Sequence, residues 1–143
     1  DLLATMADLV DEDHLAKEAP DSYSFLPVML GKRNQSNRGH LVIAANSRSH
    51  LSIRKGPWMY IPAQGGGGFW SDRVGDHVFG GPAAISFAGR ENSDIVDGKI
   101  REEAPPAQLY NLDEDPFQKH NVYKQHPEVV EVMQQLLEET IKK

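Results

Sequence analysis

Cysteine is absent from this chain of 143 residues. Its absence excludes disulfides, thiolate zinc sites and a cysteine nucleophile, and it leaves the redox compartment undecided. Long apolar runs are missing too. Because no run approaches the roughly 20 residues that cross a bilayer, we expect no membrane span. The first ten residues, DLLATMADLV, lack an initiator methionine and a basic leader region, so we expect the chain to begin inside a longer one.

Positive charge is scarce, since 15 Lys and Arg stand against 21 Asp and Glu. The formal net charge is -6 at pH 7. A nucleic-acid surface needs clustered cations that displace counterions from phosphates, so we expect no nucleic-acid partner. With 39% hydrophobic residues, the composition suits one globular domain with a modest core.

The N-terminal part of the chain carries two short helical patterns. Apolar positions recur at helical spacing over 2–10, with Asp1 available as an N-cap, and this pattern predicts a short buried helix. A second apolar stretch over 25–30 ends at Gly31, a residue that commonly follows a helix C-terminus.

The C-terminal part of the chain carries the clearest helical pattern. Pro127 fits the first position of a helix over 127–142, and Glu128 lies in its electropositive first turn. The helix has one apolar stripe, which must pack on another element. The stripe comprises Val129, Val130, Met133, Leu136, Leu137 and Ile141.

The middle of the chain changes to strand patterns rich in β-branched and aromatic residues. Gly56 can take positive φ in the turn between two of these runs, which predicts a hairpin over 51–61. Residues 62–107 show no sustained period and are predicted to form a long Gly-rich loop. We therefore expect an α+β fold, a four-stranded antiparallel sheet packed by the C-terminal amphipathic helix. The strands are predicted near 41–44, 51–54, 58–61 and 108–112.

Five segments of this sequence follow one another in a recognisable order. The longest runs from Leu109 to Asn121 with the sequence LYNLDEDPFQKHN, and HPEVV follows at 126–130. The others are Asp1-Leu2, the stretch from Asp21 to Gly31, and the stretch from Ser52 to Met59. Together they resemble the C-terminal region of type I sulfatases, the formylglycine-dependent, arylsulfatase-like enzymes of the alkaline-phosphatase-like superfamily. The run GGGGFWSD is similar to a Gly-rich insertion of the bacterial members.

The sequence departs from that family pattern at several positions. Asn111 replaces an aspartate, and the pair Phe117-Gln118 replaces Gly-Glu. Met59 replaces a lysine. Ala45-Asn46 occupies a place where some relatives carry histidines, which puts in doubt any substrate contact inferred for that loop.

The resemblance implies a particular place for this chain in a larger enzyme. Residues 1–31 would be a helical segment at the end of a missing N-terminal catalytic domain, and 32–143 would form a subdomain that helps to shape the substrate cleft. Without that domain, we expect 1–31 to rearrange, to associate with another chain, including a second copy, or to expose an apolar patch. The implied substrate is a sulfated small molecule or carbohydrate, and the implied compartment is the periplasm or the exterior of a bacterium.

The family's catalytic machinery has no counterpart in this sequence. Related enzymes oxidise the Cys or Ser of a C/S-x-P-x-R motif to formylglycine and hold Ca²⁺ with an Asp-Asp pair and an Asp-Asn pair. None of these motifs occurs here. We therefore expect no catalytic residue, metal ligand or cofactor in this chain, and no sulfatase activity from the chain alone. Calcium and formylglycine would belong to the parent enzyme.

Five residues are candidates for contact with substrate. The Arg54 guanidinium suits a sulfate group through paired hydrogen bonds, and His50 lies close to it in the sequence. Asn46 and Ser47 are able to bond sugar hydroxyls, and Trp70 offers an aromatic face. Simpler explanations stand beside each, since exposed strand residues are solvated and Asn and Ser commonly form turns.

Other motifs give weaker signals. Gly65 to Gly68 lacks the Lys-Ser/Thr pair of a phosphate-binding loop and is interpreted as a strap. Asp72, Asp76 and His77 are oxygen and nitrogen donors for a divalent ion, but such clusters are common by chance. No G-x-S-x-G elbow supports a Ser-His-Asp hydrolase. Two alternatives stay open: a non-catalytic carbohydrate-binding or interaction module, and the C-terminal part of a related phosphoester hydrolase.

Overall fold

A computed structural model of the chain describes residues 1–12, 19–35, 38–44, 51–65, 85 and 88–142. It divides the chain into two compact units, Asp1–Gly39 and His40–Lys143. The assignment of 1–31 to a preceding catalytic domain stays a prediction. No helix among the described residues is long and apolar enough to cross a membrane.

The first unit contains the two predicted helices, α1 (Leu2–Leu9) and α2 (Leu26–Met29). Polar groups of α1, one backbone N–H and one hydroxyl, fix the segment that leads into α2. The Thr5 hydroxyl accepts the Phe25 N–H at 3.1 Å, and the Ala4 N–H donates to the Ser22 hydroxyl at 3.1 Å. Gly31 follows α2 with φ of 67°, as its predicted role requires.

Asp1 occupies the N-cap position of α1, but its side chain makes no capping bond. Its carboxylate instead accepts the backbone N–H of Tyr23 at 3.0 Å and pairs with the Arg38 guanidinium. The predicted cap is therefore correct in position and different in partner.

The prediction that α1 is buried is wrong. Its buried residues are Thr5 and Ala7, because the polar side of the helix holds the neighbouring segment. The apolar residues that set the helical period lie on the open side, with Leu2 and Leu9 each 63% exposed. Sequence analysis gave three possible outcomes for 1–31: rearrangement, association with another chain, or an exposed apolar patch. The structure shows exposed apolar side chains. We call this set the N-terminal apolar patch: Leu2, Leu3, Met6, Leu9, Val10, Met29 and Leu30.

The second unit is built on a four-stranded antiparallel sheet of order β1-β2-β3-β6. Gly56 has φ of 56° in the turn from β2 to β3, which confirms the predicted hairpin. The paired residues Val42, Ile53, Tyr60 and Leu109 form one column across the sheet. The strands are β1 (Leu41–Ala44), β2 (Leu51–Lys55), β3 (Trp58–Ile61) and β6 (Gln108–Asn111).

The core lies between that column and α3 (Pro127–Ile141), as the sequence predicts. Met133 and Leu137 of the helix are 1% and 5% exposed, and they belong to one buried cluster with Ile53 and Leu109 of the sheet. Full burial of such a side chain contributes about 1.5–3 kcal/mol. This core therefore supplies the main stabilisation of the second unit.

The predicted long loop contains an element that the sequence analysis did not identify. Residues Ile95–Val96 (β4) and Lys99–Ile100 (β5) pair as a small antiparallel hairpin. Asp97 and Gly98 join them with φ of 51° and 72°, as in type I′ turns. Part of the loop is therefore regular and packs with the second unit.

Candidate functional site

Of the five predicted substrate contacts, Arg54 is among the residues that the structure describes. Arg54 belongs to β2, in register with Met59 of β3, on the sheet face opposite the Ile53 column. Its Nε–H donates to the Gly56 carbonyl at 3.3 Å, which holds the exposed side chain against the hairpin turn. Because Arg54 alone of the five is among the described residues, a shared site of the five stays a prediction. The other four, Asn46, Ser47, His50 and Trp70, lie outside the described residues.

The proposed ion ligands Asp72, Asp76 and His77 also lie outside the described residues. Among the residues that the structure describes, no group of three or more His, Asp and Glu side chains is arranged to hold a metal ion.

The long loop leaves β3 and returns to β6 through a stem held by hydrogen bonds. The Gln108 side-chain amide donates to the Ala63 carbonyl at 2.8 Å, and the Gln64 amide donates to the Ala104 carbonyl at 3.2 Å. Gly65 packs so closely on Ile95 that an added Cβ would lie 3.2 Å from that side chain. The ends of the loop are therefore fixed to each other and to the sheet.

A buried polar network continues from this stem. The Tyr110 hydroxyl donates to Gln108 Oε1 at 2.7 Å and accepts the Asn92 Nδ2–H at 2.8 Å. Asn92 also donates to the Gln118 carbonyl at 2.9 Å. Burial raises the pKa of Tyr110 to about 12; the bond from Asn92 opposes this rise, and the charges of Asp94 and Asp115 add to it. The hydroxyl thus serves as a fixed neutral link.

Asn121 is the centre of a second set of bonds. Its amide Nδ2 donates to Asp94 Oδ2 at 2.5 Å and to the Ala107 carbonyl at 3.1 Å. Its Oδ1 accepts the backbone N–H groups of Leu109 and Tyr123, each at 3.0 Å. The Val122 N–H donates to the Leu109 carbonyl at 2.9 Å. The segment after the turn therefore covers the outer edge of β6.

Asp115 shapes the turn that follows β6. Its carboxylate accepts the His120 N–H at 2.8 Å. Burial raises the pKa of Asp115, but backbone hydrogen bonds from Lys119, His120 and Phe117, together with the nearby His120 ring, lower it by more, so it lies below its ordinary value of 3.8. Gln118 adopts φ of 56° within this turn, and the neighbouring Phe117 is 69% exposed.

Two clefts open beside these networks. The first, of about 200 Å³, lies between the segments 89–91 and 117–119; we call it the Phe117 cleft. The second, of about 190 Å³, lies beside Asp94 and Asn121. Its cations are already engaged, since Arg101 pairs with the Glu103 carboxylate at 2.9 Å and Lys124 donates to the Glu103 carbonyl at 2.8 Å.

Sequence reasoning identified Asn121 only as part of a motif, and it missed Asn92 and Asp94. A local signal was available, because Asn92 Oδ1 accepts the Asp94 N–H at 2.9 Å in the way that Asn commonly turns its own backbone. The other partners of Asn92 and the Asn121 partner of Asp94 lie 18 to 27 residues away, where no periodicity indicates them.

Comparisons with known proteins place the chain among relatives. No family model matches it. It is 33% identical over 138 residues to an N-acetylgalactosamine-6-O-sulfatase of Bacteroides thetaiotaomicron, a match that covers 96% of this chain and 22% of the relative. The chain also matches a solved structure from work on the metabolism of multiple glycosaminoglycans by the same organism, whose label ends in "sulf". The TM-score is 0.63 and the identity is 30%, and the match covers 100% of this chain and 24% of the solved chain.

The chain therefore spans less than a quarter of the length of both relatives. Sequence and fold agree over nearly the whole of this chain, which confirms the resemblance found in its motifs. This chain is a homologue of the C-terminal region of sulfatases.

Proposed function

We propose that this chain is the C-terminal subdomain of a sulfuric ester hydrolase that acts on sulfated carbohydrate. The observation that carries the proposal is the match to an N-acetylgalactosamine-6-O-sulfatase over 96% of this chain. The absence of a C/S-x-P-x-R motif and of Asp-Asp and Asp-Asn pairs from the sequence supports an accessory role. The nucleophile and the Ca²⁺ ligands then belong to a preceding catalytic region.

The second unit provides a rigid support for substrate-facing loops. The packed sheet and α3 hold both ends of the long loop, and the candidates Asn46, Ser47 and His50 belong to the segment that joins β1 to β2. Arg54 adds a cation at the end of the neighbouring hairpin. In this role, the chain shapes one wall of the substrate cleft and performs no bond-breaking step.

The first unit provides the surface that meets the catalytic region. The N-terminal apolar patch exposes seven large apolar side chains within 30 residues, and monomeric proteins rarely leave such a surface uncovered. Contact with the preceding region, or with a second copy of this chain when that region is missing, would cover it.

Activity assays of two proteins test this function. The 143-residue chain alone should not hydrolyse nitrophenyl sulfate, because it has no activated oxygen nucleophile. The protein encoded contiguously with it should hydrolyse that ester and a 6-O-sulfated N-acetylgalactosamine. Turnover by the chain alone contradicts the accessory role, and a longer protein that cleaves only phosphate esters contradicts the sulfatase assignment.

The contribution of the cleft wall is tested in the longer protein with Arg54→Gln. Loss of an exposed contact to substrate should raise KM about fivefold and leave kcat nearly unchanged, because a remote contact binds ground state and transition state alike. Lys99→Gln is the matched control, since Lys99 is exposed on β5. An Arg54 variant with the KM of the control contradicts the role of this residue.

A further inference from the structure

We propose that the Phe117 cleft binds an anionic sugar ring, with Phe117 as the stacking surface and Arg90 and Lys119 as the groups that hold its sulfate or carboxylate. The proposal rests on the proposed function for the class of ligand. It adds a binding site at the outer side of β6, with a lining that includes none of the five candidates identified in the sequence.

The walls of the cleft are fixed before any ligand arrives. The Ser93 N–H donates to the Lys119 carbonyl at 2.7 Å, and Asn92 donates to the Gln118 carbonyl at 2.9 Å. These bonds join the residues that directly follow one wall segment to the other wall segment. Because Asn92 also bonds the buried Tyr110, the walls are tied to the sheet, and little ordering is needed on binding.

The charge of the cleft favours an anion in a protein whose net charge is -6. Among the described residues, two cations, Arg90 and Lys119, and one acidic residue, Glu91, line the cleft, and Glu91 pairs with the Lys119 ammonium at 3.1 Å. Both members of that pair are exposed, so the pair is worth little and a ligand anion is able to replace the carboxylate. No hydrogen bond joins the Arg90 side chain to a described residue, and its planar guanidinium matches sulfate and carboxylate oxygens.

Phe117 supplies the feature that selects a sugar over a simple ion. Its ring is 69% exposed beside the cleft, although Asp115 and Asn92 fix the turn that carries it. An exposed aromatic ring stacks on the apolar C–H face of a sugar. The volume of about 200 Å³ is below the roughly 300–1,000 Å³ of pockets for drug-sized ligands, so it suits one ring.

Calorimetric titration of the 143-residue chain at low salt tests the site with four probes: N-acetylgalactosamine 6-sulfate, glucuronic acid, neutral N-acetylgalactosamine and inorganic sulfate. The two charged sugars should bind more tightly than the other probes, and their relative affinities distinguish a sulfate from a carboxylate. Arg90→Gln should weaken the charged sugars about tenfold, since a charge-assisted bond is lost.

Phe117→Ala should weaken the charged sugars about fivefold and leave inorganic sulfate unchanged, because only stacking is removed. Lys99→Gln and Val132→Ala, at exposed positions outside the cleft, are the controls and should bind as the unchanged chain does.

Equal affinity for neutral and charged sugars overturns the assignment, as does absence of binding at millimolar concentration. Binding that neither variant changes also overturns it. If Phe117→Ala lowers only the stability of the longer protein, the ring is a contact with the catalytic region and the site is refuted. The two proposals are tested independently. Absence of sugar binding refutes the cleft but not the sulfatase activity of the longer protein. Absence of that activity refutes the proposed function but does not affect the binding measurement.

Discussion

Replacement of Asn121 by alanine tests whether one amide holds the outer edge of the sheet. The change removes four hydrogen bonds, two donated by Nδ2 and two accepted by Oδ1. Leu109 is 0% and Asp94 is 5% exposed, so water has little access to the groups left behind. A buried polar group without a partner costs about 1–3 kcal/mol, and neighbouring losses do not add fully. We expect Asn121→Ala to lower the free energy of unfolding by about 3 kcal/mol.

Chemical denaturation followed by circular dichroism measures this loss. Asn111→Ala is the matched control, because Asn111 Oδ1 accepts one exposed N–H, that of Asp113 at 3.2 Å, and its loss should cost less than about 1 kcal/mol. Asn121→Asp adds a second test. It sets a carboxylate against Asp94, where Nδ2 now lies 2.5 Å from Oδ2.

Two like charges at that distance favour uptake of a proton by the folded pair, so the pair binds protons more tightly than the unfolded chain does. The stability of Asn121→Asp relative to the original chain should therefore rise as the pH falls from 7 to about 5. The reasoning is refuted if Asn121→Ala costs no more than Asn111→Ala, or if the deficit of Asn121→Asp is independent of pH.

Three further predictions follow from burial and charge. Because burial raises the pKa of Tyr110 to about 12, its neutral form stabilises the fold fully below its ordinary pKa of 10.0, and this contribution is lost as the pH rises through the folded value. Tyr110→Phe should remove that alkaline loss in unfolding curves taken from about pH 9 to about pH 12; an unchanged pH dependence argues against it. The lowered pKa of Asp115 gives stability that is present above pH 3.8 and lost as the pH falls further. Asp115→Asn should flatten that acid branch of the stability curve, and a branch parallel to that of the original chain contradicts the assignment. Met133 is 1% exposed, so Met133→Ala should cost about 2–5 kcal/mol by denaturation, whereas Val132→Ala, at a position 51% exposed, should cost less than about 0.5 kcal/mol.

Local chemistry was sufficient to predict the main elements of the second unit. Pro127 and the apolar stripe predict α3 over 127–142, and the structure has Pro127–Ile141. Gly56 at positive φ predicts the β2–β3 hairpin, since few other residues tolerate that conformation. The strand pattern near 108–112 predicts the fourth strand of the sheet, and the structure has Gln108–Asn111.

Other features could not be predicted by the same means. The hairpin of β4 and β5 has two residues in each strand, too few for alternation, although the Asp97-Gly98 dipeptide is a recognised turn signal. Periodicity identified the apolar side of α1 but wrongly predicted that this side is buried. The cleft beside Phe117 depends on bonds between segments far apart in sequence, which a pattern of local residues does not encode.

The pairing of β3 with β6 brings together Tyr60 and Leu109, and the stem bonds of Gln64 and Gln108 lock that junction. The entropy of closing such a connection grows only with the logarithm of its length, at about 0.6 kcal/mol for each doubling. Insertions and deletions beyond the stem therefore leave the scaffold almost as stable as before. Proteins built on this scaffold are therefore able to exchange one insert for another, and so to change what they recognise, at little cost in stability.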